Sequence, residues 1–335
     1  MISRIIYKSR MSSRVAEISL RDKKLVTPTY FPAVSTAGVG YSAEGLIRLV
    51  LAAKYPRLLV SAYDTCNMRK ENKSDLLSQL SNFSRCNSFL LLDSGVFEGY
   101  WRRDRTWTFE SYADAIKQIE SDLYFSFDML ADPNMNGKSF IEETYRSITD
   151  SYVLLGRSQC VPILHGTDPE KVVALVQSFA DLDQDKVCMI GVAERDCGAT
   201  LIQRAGTVAR LREVLNSKSE NSILHILGCG NPTSLLVYSY CGADTFDSTD
   251  WSRYVLDRRS LKIADIAHLR LLRCDCPMCR KEVGPPNERP LLHNLLFYQN
   301  FVVKIQNMIR DSTIASYLSD HLGEDVLSEI EGRLA

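Results

Sequence analysis

Eight times along this chain a short apolar run is followed by polar residues and then by a helical pattern, and that recurrence limits the fold more than anything else in it. The runs lie near 28–34 (PTYFPAV), 57–62 (RLLVSA), 88–93 (SFLLLD), 123–128 (LYFSFD), 160–165 (CVPILH), 186–192 (KVCMIGV), 223–229 (ILHILGC) and 243–247 (ADTFD). Continuous apolar runs, rather than alternating ones, are what strands buried on both faces require, so they predict a parallel sheet covered by helices. The helix starts are signalled as well. Asp168-Pro169-Glu170 before KVVALVQSFA sets an N-cap, a first-turn proline and an acidic first turn in order. Asn231-Pro232 before TSLLVYSYCG repeats the device, and Gly242 is a natural stop. Eight such units predict an α/β fold, a TIM (β/α)8 barrel, with a doubly wound sheet as runner-up.

The 335 residues have room for one such barrel and an appendage. After about residue 260 the pattern changes to CDCPMC, then Gly284-Pro285-Pro286, then the apolar helix LLHNLLFYQNFVVKIQNMI and a second helix near 312–333. Residues 1–260 are therefore read as a catalytic barrel, and 261–335 as a zinc-stapled helical subdomain packed on it. The 40 Lys+Arg against 41 Asp+Glu give a formal charge of -1, which excludes a chain basic enough to bind nucleic acid by total charge alone. Such a partner would need a local basic patch. The start, MISRIIYKSRMSSRV, has no apolar h-region, and no run of about 18 apolar residues occurs anywhere, so neither a secretory signal nor a membrane span is expected. Of ten cysteines, three fall within six residues, which points to a metal; the other seven read as buried thiols of a cytoplasmic protein.

Barrel enzymes build their sites at the C-terminal ends of the strands. Those ends carry Asp93, Asp128, His165, Gly191 with Glu194 just beyond, Gly228 and Asp247. Carboxylates converging on one mouth raise one another's pKa, and such a set suits displacement at a sugar carbon, one carboxylate attacking and another moving the proton of the leaving group. Singly, each aspartate also reads as a helix N-cap or turn residue, and His165 as a hydrogen-bonded structural histidine. Cys274, Cys276 and Cys279, with His293 after thirteen intervening residues, supply three thiolates and an imidazole for one closed, structural Zn2+ site. His268 competes as the fourth ligand, and three reduced cysteines without metal are the plainer alternative.

These residues resemble the tRNA-guanine transglycosylase family, over roughly 25–310. LLDSGVFE (91–98) resembles its DSGG(F/Y)Q segment, SFD (126–128) its second aspartate motif and PILHG (162–166) its (I/V)QGG. HILGCGNPTSLLVYSYCGADTFD (225–247) looks like its LMGVG…GxDxFD segment, and CDCPMC with LLHNLLFY like its zinc motif and following helix. The resemblance implies that Asp247 is the nucleophile of a covalent glycosyl intermediate and Asp93 the general acid/base. It implies further that Asp128 binds the base edge with His165, Gly191 and Gly228 nearby, and that Phe97 and Leu227 sandwich the ring. The family exchanges guanine in a polynucleotide for a 7-deazaguanine.

The departures matter too. The family's Gly-Gly-Phe/Tyr-Gln is Gly95-Val96-Phe97-Glu98 here, its QGG glutamine is His165, and its tRNA-binding LPTR segment is replaced by STDWSRYVLDRR (248–259). A branch of the family acts on DNA, inserting a base such as preQ0, and the altered segment places this chain's expected substrate there, with tRNA, or a non-catalytic partner subunit, as alternatives. Arg253, Arg258 and Arg259 beside the nucleophile, within a basic stretch that runs to Lys281, and Arg102 and Arg103 between Trp101 and Trp107, are the candidate nucleic-acid contacts; a solvated surface is the other reading of each. A homodimer through the apolar 291–303, and helper proteins, are further expectations.

Overall fold

A computed structural model describes residues 1–9, 12–36, 40–130, 137–182, 188–280 and 284–333. Lys281 of the basic stretch and residues 186–187 of the sixth apolar run lie outside the described residues. The chain begins with an antiparallel meander that no apolar run announced: β1 (Ile2–Lys8), β2 (Arg14–Leu20) and β3 (Lys23–Val26).

All eight runs become barrel strands. They are β4 (Thr29–Val34), β5 (Arg57–Ser61), β6 (Phe89–Asp93), β7 (Leu123–Phe125), the pair β8 (Cys160–Val161) and β9 (Ile163–Leu164), β10 (Met189–Ala193), β11 (Ile223–Leu227) and β12 (Thr245–Ser248). Their order is β8-β7-β6-β5-β4-β12-β11-β10-β9, every pairing parallel. The fifth run is split because Pro162 has no N–H to give a ladder. Its first half pairs with β7 and its second with β10, and the Pro162 carbonyl accepts the Gly191 N–H at 2.9 Å. The ring closes through this segment, which makes the fold a barrel and excludes the doubly wound alternative.

The two strand faces feed two cores. Along β6, Phe89 and Leu91 point into the barrel while Leu90 and Leu92 pack under the helices. Ala16, Ile18, Leu20 and Leu25 of the meander join the interior cluster, so the end of the barrel away from the strand C-termini is plugged. A buried ion cluster ties plug to barrel. Asp244 accepts from Arg14 Nε and Nη2, both at 2.8 Å, and from Arg212 Nη2 at 2.6 Å.

After β12 the chain makes a ribbon, β13 (Tyr254–Leu256) with β14 (Ile263–Asp265), and then the long helix Arg289–Arg310. Leu291, Leu295, Tyr298, Phe301, Val302 and Ile305 of that helix are buried within this chain. Each such side chain contributes about 1.5–3 kcal/mol of transfer free energy. The apolar stretch expected to serve a homodimer is thus spent internally, and Val303 is its exposed large hydrophobic. The single helix expected at 312–333 is two, Ile314–Leu322 and Glu324–Gly332, broken where Gly323 takes φ +93°. Among the described residues no helix is long and apolar enough to cross a membrane.

Candidate active site and metal cluster

Period two along the strands decides which side chains reach the barrel rim. Phe89, Leu91 and Asp93 share one face of β6, so the face that fills the interior ends in a carboxylate. On β11 the same phase runs Ile223, His225, Leu227, and on β12 it runs Thr245, Asp247. Asp128 follows β7 by three residues, and His165 follows β9 directly.

The carboxyl groups are held in different ways. Asp93 is half-buried and accepts the Gly95 N–H at 3.1 Å. Desolvation, then the charges of Glu98, Asp128 and Asp247, push its pKa well above the ordinary aspartate value. Glu98, on the helix Val96–Arg102, is buried and accepts from Ser61 Oγ at 2.9 Å. Burial, with the charge of Asp64 adding and hydrogen bonds from Ser35 and Ser61 opposing, raises it to about 7.

Asp128 goes the other way. Burial alone would raise it, but His165, with Ser94, holds it below the ordinary value. Ser94 Oγ donates to its Oδ1, and His165 Nε2 lies 3.0 Å from its Oδ2. The other nitrogen of His165, Nδ1, lies 2.9 Å from Asp196 Oδ2, which also accepts the Gly166 N–H at 3.3 Å. Burial opposes a charge on this ring, yet the two carboxylates outweigh it and raise His165 to about 9. Both ring nitrogens of His165 are thus engaged by carboxylates.

Asp247 is buried, only 8% exposed. Its Oδ1 meets His225 Nε2 at 3.0 Å and the Gly228 N–H at 3.4 Å. The sixth strand runs on to Ala193, so Gly191 is mid-strand and not at its end; its N–H is committed to the ladder. What it supplies is space, since a Cβ there would come within 2.5 Å of Ile163 Cδ1 and 2.9 Å of Leu227 Cδ1. Leu227 and Phe97 are half-buried, and the Arg195 guanidinium lies 5.8 Å from the Phe97 ring centroid. Beside Asp128 a cavity of about 470 Å³ is lined by Gly99, Tyr100, Arg103, Trp107 and Phe127.

Arg102 and Arg103 are exposed where the chain leaves β6, Arg102 donating to Thr36 Oγ1 at 2.5 Å. Arg253 is exposed at the end of the short helix after β12, while Arg258 and Arg259 are exposed in the turn that joins β13 to β14. His225 and Asp196 are the participants that reading strand ends passes over. His225 lies one inward step below the rim, where the period-two phase from Ile223 would have found it; Asp196 lies in a one-turn 3-10 helix with no pattern to read.

The donor atoms of Cys274, Cys276, Cys279 and His293 all lie within 4.8 Å of one another. His293 Nδ1 is 3.4 Å from both Cys276 Sγ and Cys279 Sγ, while its Nε2 reaches the Leu256 carbonyl at 2.8 Å. That backbone partner fixes the ring so that Nδ1 faces the sulfurs, the outer support a metal-bound histidine needs. His268 is exposed and outside the group, and the four side chains could hold a metal ion. Next on the helix, Asn294 accepts the Leu256 N–H at 3.1 Å and donates to the Trp251 carbonyl at 2.8 Å, so the metal cluster is tied to the helix and ribbon that follow β12.

Two curated proteins are similar along nearly the whole chain. One is the tRNA-guanine(15) transglycosylase of Sulfolobus acidocaldarius, 21% identical with 92% of this chain aligned. The other is the tRNA-guanine(15) transglycosylase of Methanocaldococcus jannaschii, 23% identical with 90% aligned. The aligned region spans 64% and 48% of their respective lengths, so this chain corresponds to part of each. Residues 9–324, the whole barrel and the metal cluster together, match the family described as queuine tRNA-ribosyltransferase, and the chain belongs to that family.

Proposed function

We propose that this protein exchanges a guanine of a polynucleotide for another base of the 7-deazaguanine type, through a glycosyl ester on Asp247. The observation that carries the reading is the opposite treatment of the rim carboxyls: Asp93 is pushed toward its protonated form while Asp128 is held ionised. Two groups driven apart in this way divide acid and acceptor roles between them.

Asp247 Oδ2 attacks the anomeric carbon, the glycosidic bond breaks, and its electron pair leaves on the base nitrogen, which takes the proton of Asp93. The incoming base gives its proton back to Asp93 and attacks from the vacated side. The ester bond then breaks and its electron pair returns to Asp247. Asp128, an acceptor on both oxygens, suits the N–H donors of the guanine edge, and the half-buried Phe97 and Leu227 suit the faces of a flat ring. Gly191 and Gly228 keep the floor open. Three thiolates and an imidazole suit Zn2+ at the metal cluster, where it would staple residues 261–335 as a subdomain packed on the catalytic barrel, 1–260. Arg102, Arg103, Arg253, Arg258 and Arg259 are the proposed phosphate contacts.

For the polynucleotide, tRNA is the better-supported reading, because both relatives carry tRNA in their names. DNA, which the replaced segment 248–259 favours, is the competing outcome of one experiment. Incorporation of tritiated guanine is measured side by side into tRNA and duplex DNA. Label in tRNA alone is expected; label in DNA alone reverses the substrate; loss of guanine without uptake makes the protein a hydrolase instead. An Asp247→Ala variant that still exchanges guanine overturns the nucleophile.

A further inference from the structure

We infer that His225 is the positioning residue of the nucleophile: it holds Asp247 Oδ1 so that Oδ2 alone faces the sugar, and it keeps its hold on that oxygen in the ester. The inference rests on Asp247 being the nucleophile.

The geometry is complete within two strands. His225 is fully buried under the rim, and its β11 position pairs with Thr245 on β12. Its Nδ1 lies 2.8 Å from Thr245 Oγ1 and its Nε2 lies 3.0 Å from Asp247 Oδ1. Phe125 meets the ring edge-on at 5.2 Å and completes the packing on the interior side. The partners decide the tautomer. As an attacking carboxylate Asp247 can only accept, so Nε2 carries a proton toward it, and Thr245 Oγ1 partners Nδ1. The Gly228 N–H converges on the same oxygen at 3.4 Å. Among the described residues these donors converge on Oδ1, which leaves Oδ2 as the attacking atom.

The same donors act again in the second step. Once Oδ2 is bonded to the anomeric carbon, Oδ1 is the ester carbonyl oxygen. As the incoming base attacks that carbon, the C–Oδ2 bond breaks and its electron pair spreads over both oxygens of Asp247. Donors already aimed at Oδ1 stabilise that developing charge without reorganising. Of the two histidines at this rim, His165 orders the carboxylate assigned to the base edge and His225 the carboxylate assigned to the sugar.

The test compares guanine exchange by the full-length protein in His225→Leu, His225→Gln, Thr245→Val and Asp247→Ala. His225→Leu should lower kcat by about 10²–10³, the usual effect of deleting one such donor, with KM for the polynucleotide within about threefold. His225→Gln restores an N–H at that depth and should recover at least tenfold of the loss. Thr245→Val keeps the ring but frees its tautomer and should fall between them. Trapping of the covalent adduct on denaturing gels should slow in His225→Leu in proportion to kcat. If His225→Leu, melting as the unaltered protein does, exchanges at full rate while Asp247→Ala is dead, the positioning role is overturned and the nucleophile stands. If Asp247→Ala exchanges, the reading beneath it falls. Equal losses in the Leu and Gln variants that track their melting temperatures make the contact structural only.

Discussion

A buried imidazole with a carboxylate on each nitrogen is stable as a cation, and that fixes what its neighbours can be. Asp128 and Asp196 raise His165 to about 9, so at neutral pH Asp128 remains an anion that can only accept. The added proton affinity belongs to the folded state, so its stabilisation is complete below the usual histidine value of 6.5 and is lost as pH rises through about 9. An NMR titration of the His165 Cε1–H should therefore show a midpoint near 9; a midpoint below 7 would refute the clamp. Asp93, Asp128, His165 and Asp247 were legible because each ends or closely follows an apolar run. His225 was not, because a residue in mid-strand looks like core until the phase of its neighbours is traced. Glu98 was legible only as a departure from a pattern, and its burial against Ser61 depends on a helix whose start is set by Gly95.

At the scale of elements, the turn after β6 tolerates little change. Gly95 has φ +80°, and a Cβ there would lie 2.6 Å from the Tyr63 backbone nitrogen. Gly95→Ala should cost about 2–4 kcal/mol from left-handed strain and the clash together, read by urea unfolding. It should also abolish exchange, because the Gly95 N–H holds Asp93. The metal cluster makes a second prediction. Cys276→Ser should lose about one metal ion per chain on elemental analysis, with faster amide exchange at residues 251–256, which His293 and Asn294 anchor. Full metal content in that variant would count against the site. Strands buried on both faces announce themselves as apolar runs, which is why all eight were legible. The meander was not: β1 alternates exposed and half-buried residues from end to end, and only its partners reveal its place.

Over the whole molecule, a net charge of -1 conceals a sorting: carboxyls are gathered inside the rim while Arg102, Arg103, Arg253, Arg258 and Arg259 stay exposed. Charge is also spent below the barrel, where Asp244 lies between Arg14 and Arg212. Asp244→Asn leaves two buried guanidinium groups facing each other without an anion and should cost about 3–5 kcal/mol in chemical denaturation. A loss under 1 kcal/mol would mean that the plug is held by its apolar contacts alone.

That plug turns the barrel into a blind pouch. Ala16, Ile18, Leu20 and Leu25 seal the floor, so in the proposed exchange the bases pass the rim at the strand C-termini. In the proposed exchange, a base cut loose from its sugar leaves by the way its replacement arrives. Exchange in such a vessel is a matter of emptying before filling. Initial rates at several fixed polynucleotide concentrations should therefore give parallel double-reciprocal lines against the incoming base, and intersecting lines would mean that both bases can be inside at once.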